Sequence, residues 1–292
     1  MKAYHSLYKL HSGQAPETAF AHFYPVNGSY DEPFRLVAAQ TMDGEDAWAF
    51  QQERFKTKYR GTNVPKLKNY LNYTFRRLLD LEQTAPGKHF IQSKDDMWTS
   101  FNTGLQNHHG SDLIAIFQKY KQREGYEVRP VPDWVFKGCY TPNDRQFRDR
   151  FGTTPPELAT FSSDSRDFVF DTSYTLERDV FDHLFDRAKE RAGLPNASDE
   201  IVHNYLRGAL ENLIPKIRRN YKIAIPVWYV EERRMQLLLP FISASNRDDV
   251  SCFLVDRDDT TRYYRLKTVY DLDQAYFAAR LITRPDRDWL NP

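Results

Sequence analysis

The chain has 292 residues, of which 28% are charged and 40% hydrophobic, with forty-one basic against forty acidic side chains and a formal net charge of +1. That length allows one large domain or two modest ones, and the composition excludes wholesale disorder. A molecule this near neutrality carries no overall field for a polyanion; there is no run of about 20 apolar residues to span a membrane, and two distant cysteines exclude a disulfide framework or a cysteine-rich zinc module within the chain.

In chain order, Met1 to Tyr8 alternate polar and apolar residues and lack the continuous apolar centre of a secretory signal, so the expected location is the cytoplasm. Residues 1–44 are rich in Pro, Gly and His and weakly periodic, which predicts an irregular N-terminal extension. Residues 45–292 read as a single α+β domain. The first strong local charge is Gln52 to Arg77, where Arg54, Lys56, Lys58, Arg60, Lys66, Lys68, Arg76 and Arg77 face the single acid Glu53, a local net charge of +7. Phe55, Tyr59, Tyr70 and Tyr73 are interleaved with them. A basic track with ring faces suits single-stranded nucleic acid, by phosphate neutralisation and stacking; the bland alternative is a solvated helix face.

After Pro65, Leu67, Leu71, Phe75 and Leu78 recur at three- and four-residue steps and predict a helix. Short aromatic and β-branched runs at His89–Gln92, Met97–Phe101, Leu113–Phe117 and Tyr126–Phe136 predict strands, as does Asp167–Asp171. A charged helix is expected over Val180–Arg191, ended by Gly193 and Pro195. A second helix starts from Ser198 as N-cap, with Val202, Leu206, Ala209, Leu213 and Ile217 on one face and a kink at Pro215. Tyr221–Val230, Met235–Ile242, Val250–Asp256 and Thr261–Thr268 predict an antiparallel meander, closed by a helix over Leu272–Ile282. Without regular βαβ alternation, the fold class is α+β, with a mixed or mainly antiparallel sheet, a C-terminal antiparallel meander and flanking helices.

No phosphate loop, dinucleotide turn, zincin pair or nucleophile elbow occurs, so no cofactor and no metal are expected. Lys216-Ile217-Arg218-Arg219-Asn220-Tyr221-Lys222 holds four cations without a local acid where a helix hands over to a strand. Dipole complementation explains Arg218 and Arg219; Lys222, read as part of a strand beside buried Ile223 and Ile225, calls for an anion. Phe101-Asn102-Thr103-Gly104 runs from a strand into a polar turn, where Asn102 and Thr103 either cap the turn or point at a ligand. Gln236 is a polar interruption beside Leu237-Leu238-Leu239. Adjacent His108 and His109 have no partner spacing for a metal, Asp164, Asp167 and Asp171 do not share one strand face, and Cys139 and Cys252 read as small buried hydrophobes.

Asn69-Tyr70-Leu71-Asn72-Tyr73-Thr74-Phe75-Arg76-Arg77-Leu78, Phe101 to Leu105, Arg219 to Lys222 with Ile225-Pro226 and Tyr229, Gln236 to Pro240, Tyr270 to Ile282 and Pro285 to Leu290 together resemble one family. It is a bacterial family catalogued as a domain of unknown function, whose members sit beside cold-shock or LOTUS-type RNA-binding modules. The resemblance spans roughly Ala47 to Leu290 and implies an RNA context without catalytic residues to carry over. The chain departs from the pattern in having no appended RNA-binding module in its first forty residues, and in Gln274-Ala275-Tyr276-Phe277 where a Met-Ala-Tyr-Asn-like run is expected.

The expected function is therefore binding of RNA or a nucleotide phosphate. Its forms are an enzyme of RNA processing or nucleotide metabolism with catalytic residues unknown, a non-catalytic RNA-binding module, or a host-defence or toxin effector. The expected ligand residues are Asn102, Thr103, Arg219, Asn220, Lys222 and Gln236. The expected nucleic-acid surface is Arg54, Lys56, Lys58, Lys66, Lys68, Arg76 and Arg77. The partner is RNA or a nucleotide, and no membrane.

Overall fold

The apolar three- and four-residue repeat that begins at Pro65 folds as a helix because Pro65 sits at its first position, where its missing N–H costs nothing. The architecture around it is taken from a computed structural model, which describes residues 4–10, 13–44, 46–49, 64–121, 131–177, 185–246 and 249–282. The chain groups into two compact units, Met1–Thr160 and Phe161–Pro292, each with its own five-stranded sheet.

The first unit holds β1 (Ala21–His22), α1 (Glu32–Gln40), α2 (Pro65–Thr84), β2 (Ile91–Gln92), β3 (Trp98–Gln106), β4 (Asp112–Lys119), β5 (Trp134–Tyr140) and α3 (Arg145–Phe151). Its strand order is β1-β5-β4-β3-β2, antiparallel except that β1 runs parallel to β5 through Ala21↔Trp134 and His22↔Val135. Residues 1–44, expected as an irregular extension, thus supply an edge strand and a helix. One sheet face is lined by rings: Phe20, Phe75, Phe90, Phe101 and Phe117 meet at centroid distances of 4.9–5.9 Å. Such offset and edge-on contacts add to the burial of the rings themselves. Behind the sheet, Phe147 of α3 packs on Ile114 and Ile116, and the Arg150 guanidinium lies 4.1 Å over the Trp98 ring.

The second unit holds β6 (Thr175–Leu176), α4 (Phe185–Arg191), α5 (Asp199–Arg219), β7 (Ile225–Tyr229), β8 (Arg234–Ile242), β9 (Val250–Asp258), β10 (Tyr263–Asp271) and α6 (Leu272–Arg280). The strand order β6-β10-β9-β8-β7 contains the expected antiparallel meander of β7 to β10, with β6 added in parallel at the edge. The apolar run Leu237-Leu238-Leu239 is continuous because both faces are covered. Leu237 and Leu239 join Phe253, Val255 and the Val202, Leu206, Leu210, Leu213 and Ile217 stripe of α5. Leu238 faces the other way, onto Leu254, Cys252 and the alanines Ala275, Ala278 and Ala279 of α6. Burial of a leucine side chain contributes about 1.5–3 kcal/mol, so this two-sided run anchors the unit. Ser198 accepts the Ile201 amide as the expected N-cap, and α5 continues through Pro215 to Arg219.

Two strand expectations are corrected. Asp167–Asp171 is not a strand: Ser165–Phe168 is a 3-10 turn, because Asp164 accepts the Arg166 amide and offers the backbone a local partner in place of a ladder. Tyr221–Val230 is a strand only from Ile225, since Asn220 accepts the Lys222 amide and winds Tyr221–Ile223 into a 3-10 turn. The expected strand and helix segments at residues 122–130 and 178–184, and the Pro285–Leu290 motif, lie outside the described residues.

No described helix is long and apolar enough to cross a membrane. Asp164, Asp167 and Asp171 are spent on Arg166, on Ser162 with Arg257, and on Ser173, and no described group of three or more His, Cys, Asp or Glu is arranged for a metal. Cys139 and Cys252 are free and buried, and burial pushes the Cys139 thiol up to about 12.

Candidate functional site

The expected ligand residues divide between the units. Asn102 and Thr103 belong to the first, Arg219, Asn220, Lys222 and Gln236 to the second.

On β3, four steps from Asn102 to Gln106 match two steps from Ile114 to Asp112 on β4, so the Asn102-Thr103-Gly104 segment is a bulge. Its polar atoms are consumed there. The Asn102 amide donates to Asp112 Oδ2 at 3.0 Å and to the Pro156 carbonyl at 3.5 Å, and its Oδ1 accepts the Gly104 N–H at 3.0 Å. Thr103 Oγ1 donates to the Leu113 carbonyl at 2.6 Å and accepts the Leu105 N–H at 3.2 Å. Both side chains are buried. Gly104 takes φ +74°, and a Cβ there would lie 2.7 Å from the Tyr70 hydroxyl, so only glycine fits between bulge and helix.

The basic stretch divides as well. Arg54, Lys56, Lys58 and Arg60 lie outside the described residues. On α2, residues 65–82 are all buried or half-buried, and the expected open face is corrected at Lys66, which is 0% exposed. Lys68 bonds Asp31 and lies 5.0 Å over the Phe34 ring, and Arg77 Nε donates to the Thr160 carbonyl at 2.7 Å. These cations are tied into the unit. The apolar stripe predicted one buried face, but Asn72, Thr74 and Glu82 are buried too: Asn72 accepts the Leu7 amide, and Glu82 accepts the His89 and Phe90 amides.

Gln236 is 2% exposed and sits within a charged array over one end of the second sheet. Its Nε2 donates to Glu232 Oε2 at 3.3 Å, while its Oε1 has no partner among the described residues. Arg234 bridges Glu232 and Asp256, and Lys267, at the irregular step of β10, reaches Glu232 Oε1 at 2.8 Å. Burial raises the Asp256 carboxyl more than Arg234 lowers it. Burial also pushes Glu232 upward, but the bonds from Lys267 and Arg234 outweigh it and hold this carboxyl below its ordinary range. The array balances its own charge, and Gln236 is sealed beneath it rather than presented to a ligand.

The remaining candidate is the end of α5. Ile217 and Ala224 are buried anchors, and everything from Arg218 to Lys222 is exposed between them. Lys222 is therefore not a buried strand ammonium, which removes the desolvation cost that called for an anion beside it. The basic character stands on different ground. Lys216, Arg218 and Arg219 are exposed and form no ion pair among the described residues, and Glu211, the nearest acid earlier on the helix, pairs with Arg207. Among the described residues, Arg219 Nη1 reaches only the Pro215 carbonyl of its own helix, at 3.5 Å. Asn220 fixes the turn by accepting the Lys222 amide at 3.1 Å, and beside it Tyr221 is 63% exposed. Sequence reasoning passed over Tyr221, because placing it in a strand hid the one signal, an aromatic inside a cationic run.

No curated protein and no solved structure matches the chain. Residues 39–289 match a family described as a domain of unknown function (DUF3825), which covers most of the chain and includes both sheets' principal strands. The protein therefore belongs to the DUF3825 family.

Proposed function

We propose that the protein is a cytoplasmic binder of RNA or a nucleotide phosphate and that the end of α5 is the phosphate-contacting surface. One observation carries this: Lys216, Arg218 and Arg219 stand exposed on one short segment with no carboxylate committed to them among the described residues. An ammonium attracts phosphate as a point charge and a guanidinium grips two oxygens as a fork, so the segment combines attraction with orientation. The α5 carbonyl end partly offsets the charge, but exposed side chains keep their reach toward a polyanion. The RNA-module neighbourhood implied by the resemblance supports the same direction. Binding without chemistry is favoured over an enzyme because Asn102 and Thr103, expected to orient a reacting group, spend their polar atoms on the β3 bulge.

The test is fluorescence anisotropy of a labelled 12-nucleotide RNA against the full chain across a salt series. With two or three phosphates engaged, the expected slope of log K against log salt is about −1.4 to −2, or roughly a tenfold loss between 50 and 200 mM. Combined Lys216→Ala, Arg218→Ala and Arg219→Ala should weaken binding and flatten that slope. Salt-independent binding, or a triple variant that binds like the wild type, overturns the reading.

A further inference from the structure

Resting on the phosphate-binding reading, we infer that Tyr221 makes this surface selective for single-stranded RNA, its ring serving as a platform for one unpaired base while the neighbouring cations hold the backbone. The position of Tyr221 is the first argument. It opens the 3-10 turn Tyr221–Ile223, two residues after the last cation of α5, and is more exposed than any other large hydrophobic residue among the described residues of the second unit. Ile223 and Ala224, the second and third residues after it, turn inward to the core that Ile217 also joins, so the turn is pinned on both sides while the ring is held out. A large ring kept in water gains nothing for the fold.

The rigidity of the turn is the second argument. Asn220 accepts the Lys222 amide, the Ile223 amide bonds the Asn220 carbonyl and the Ala224 amide bonds the Tyr221 carbonyl, so the backbone beneath the ring is fixed before any ligand arrives. A preorganised ring loses little freedom on stacking. Lys216 and Arg219 lie three residues apart on the helix, neighbours on its surface at about 5–6 Å between their Cβ atoms. Cations beside an exposed ring match the two needs of a single strand, backbone neutralisation and base stacking. A duplex meets only the first, because its bases are already stacked on one another and leave no open face for the ring.

Binding of a labelled single-stranded 12-nucleotide RNA and of the same sequence as a duplex should be compared for wild type, Tyr221→Ala, Tyr221→Phe and the triple cation variant, each checked for an unchanged unfolding midpoint. Tyr221→Ala should weaken single-strand binding by about 5- to 150-fold, the span of one base–ring stack. It should leave duplex binding unchanged, and Tyr221→Phe should stay within about twofold of wild type because the ring remains. The triple variant should lose both RNAs. If Tyr221→Ala binds the single strand as the wild type does, or loses both RNAs equally, the inference fails while the phosphate-binding reading stands. If the triple variant keeps both RNAs, that reading fails and takes this one with it.

Discussion

Helices α2 and α5 carry similar cationic sequences and use them in opposite ways. On α2 no residue from 65 to 82 is exposed; Lys66 is wholly enclosed, Lys68 is held by Asp31, and Arg77 caps a carbonyl. On α5 a single stripe, Val202 to Ile217, is buried, and the cations of the last turn face water. The difference teaches that a local charge of one sign says nothing about availability until the number of covered faces is known. A helix covered on one side displays its charges, whereas a helix covered all round must pair or cap them.

Charge reversal should split the two helices most widely. Lys66→Glu places a carboxylate in place of an ammonium where water does not reach, so a loss of about 3–5 kcal/mol is expected from urea unfolding. Arg218→Glu changes an exposed side chain and should leave the unfolding midpoint where it is. Equal effects at the two positions would mean that the helices do not differ as described.

A sharper probe of the enclosure of α2 is the point where β3 touches it. Gly104→Ala adds a Cβ 2.7 Å from the Tyr70 hydroxyl at φ +74°, which combines a clash with an unfavourable backbone, a cost of about 2–3 kcal/mol. With Tyr70→Phe the nearest remaining ring atom lies at 3.9 Å, so the same substitution should then cost about 1–2 kcal/mol, the backbone part alone. Additive effects in the double-mutant cycle would show that helix and bulge are not in contact there.

The helix starts differ on a smaller scale. Helix α5 begins in water and depends on Ser198, whose Oγ accepts the Ile201 amide at 3.4 Å; Ser198→Ala should cost about 1 kcal/mol by thermal unfolding. Helix α2 begins at buried Val64 and Pro65 with no side-chain cap, and its start is held by packing. Val64→Thr, which adds a possible cap and removes a methyl, should therefore destabilise rather than help.

What was legible in the residues follows the same division. The α5 stripe, its Ser198 cap, the C-terminal meander and the α2 repeat were readable because period and cap chemistry are local. Segments decided by a short polar side chain were not: Asp164 and Asn220 each divert a strand-like run into a 3-10 turn, and nothing in apolar spacing announces that choice. At the site, the cationic run around Arg219 was visible as a charge pattern, but its exposure and the presence of Tyr221 depended on that turn. The roles of Asn102 and Thr103 were hidden for another reason. A polar strand residue beside a glycine fits both a ligand contact and a bulge, and only the pairing register of β3 with β4 separates them.

Gln236 extends the comparison from helices to a sheet face, with the smallest expected effect. It resembles the polar groups of α2 in being enclosed, yet it lacks their satisfaction: Oε1 is buried without a partner among the described residues, and the one bond from Nε2 is long, at 3.3 Å. An unmade bond at a buried acceptor costs roughly 1–3 kcal/mol, while a weak bond to Glu232 returns less than that. Glu232 does not depend on it, since Arg234 and Lys267 both hold that carboxylate. Gln236→Met keeps the length of the side chain, removes the orphaned acceptor and matches the apolar neighbours Leu237 and Leu238. Its expected change in unfolding free energy lies between zero and a gain of about 1 kcal/mol, measured by urea denaturation, with RNA affinity within twofold of wild type. A loss above 1 kcal/mol would show that the acceptor is satisfied in solution. A stable variant with weakened RNA binding would return Gln236 to the site and make the charged array, not the end of α5, the surface to pursue.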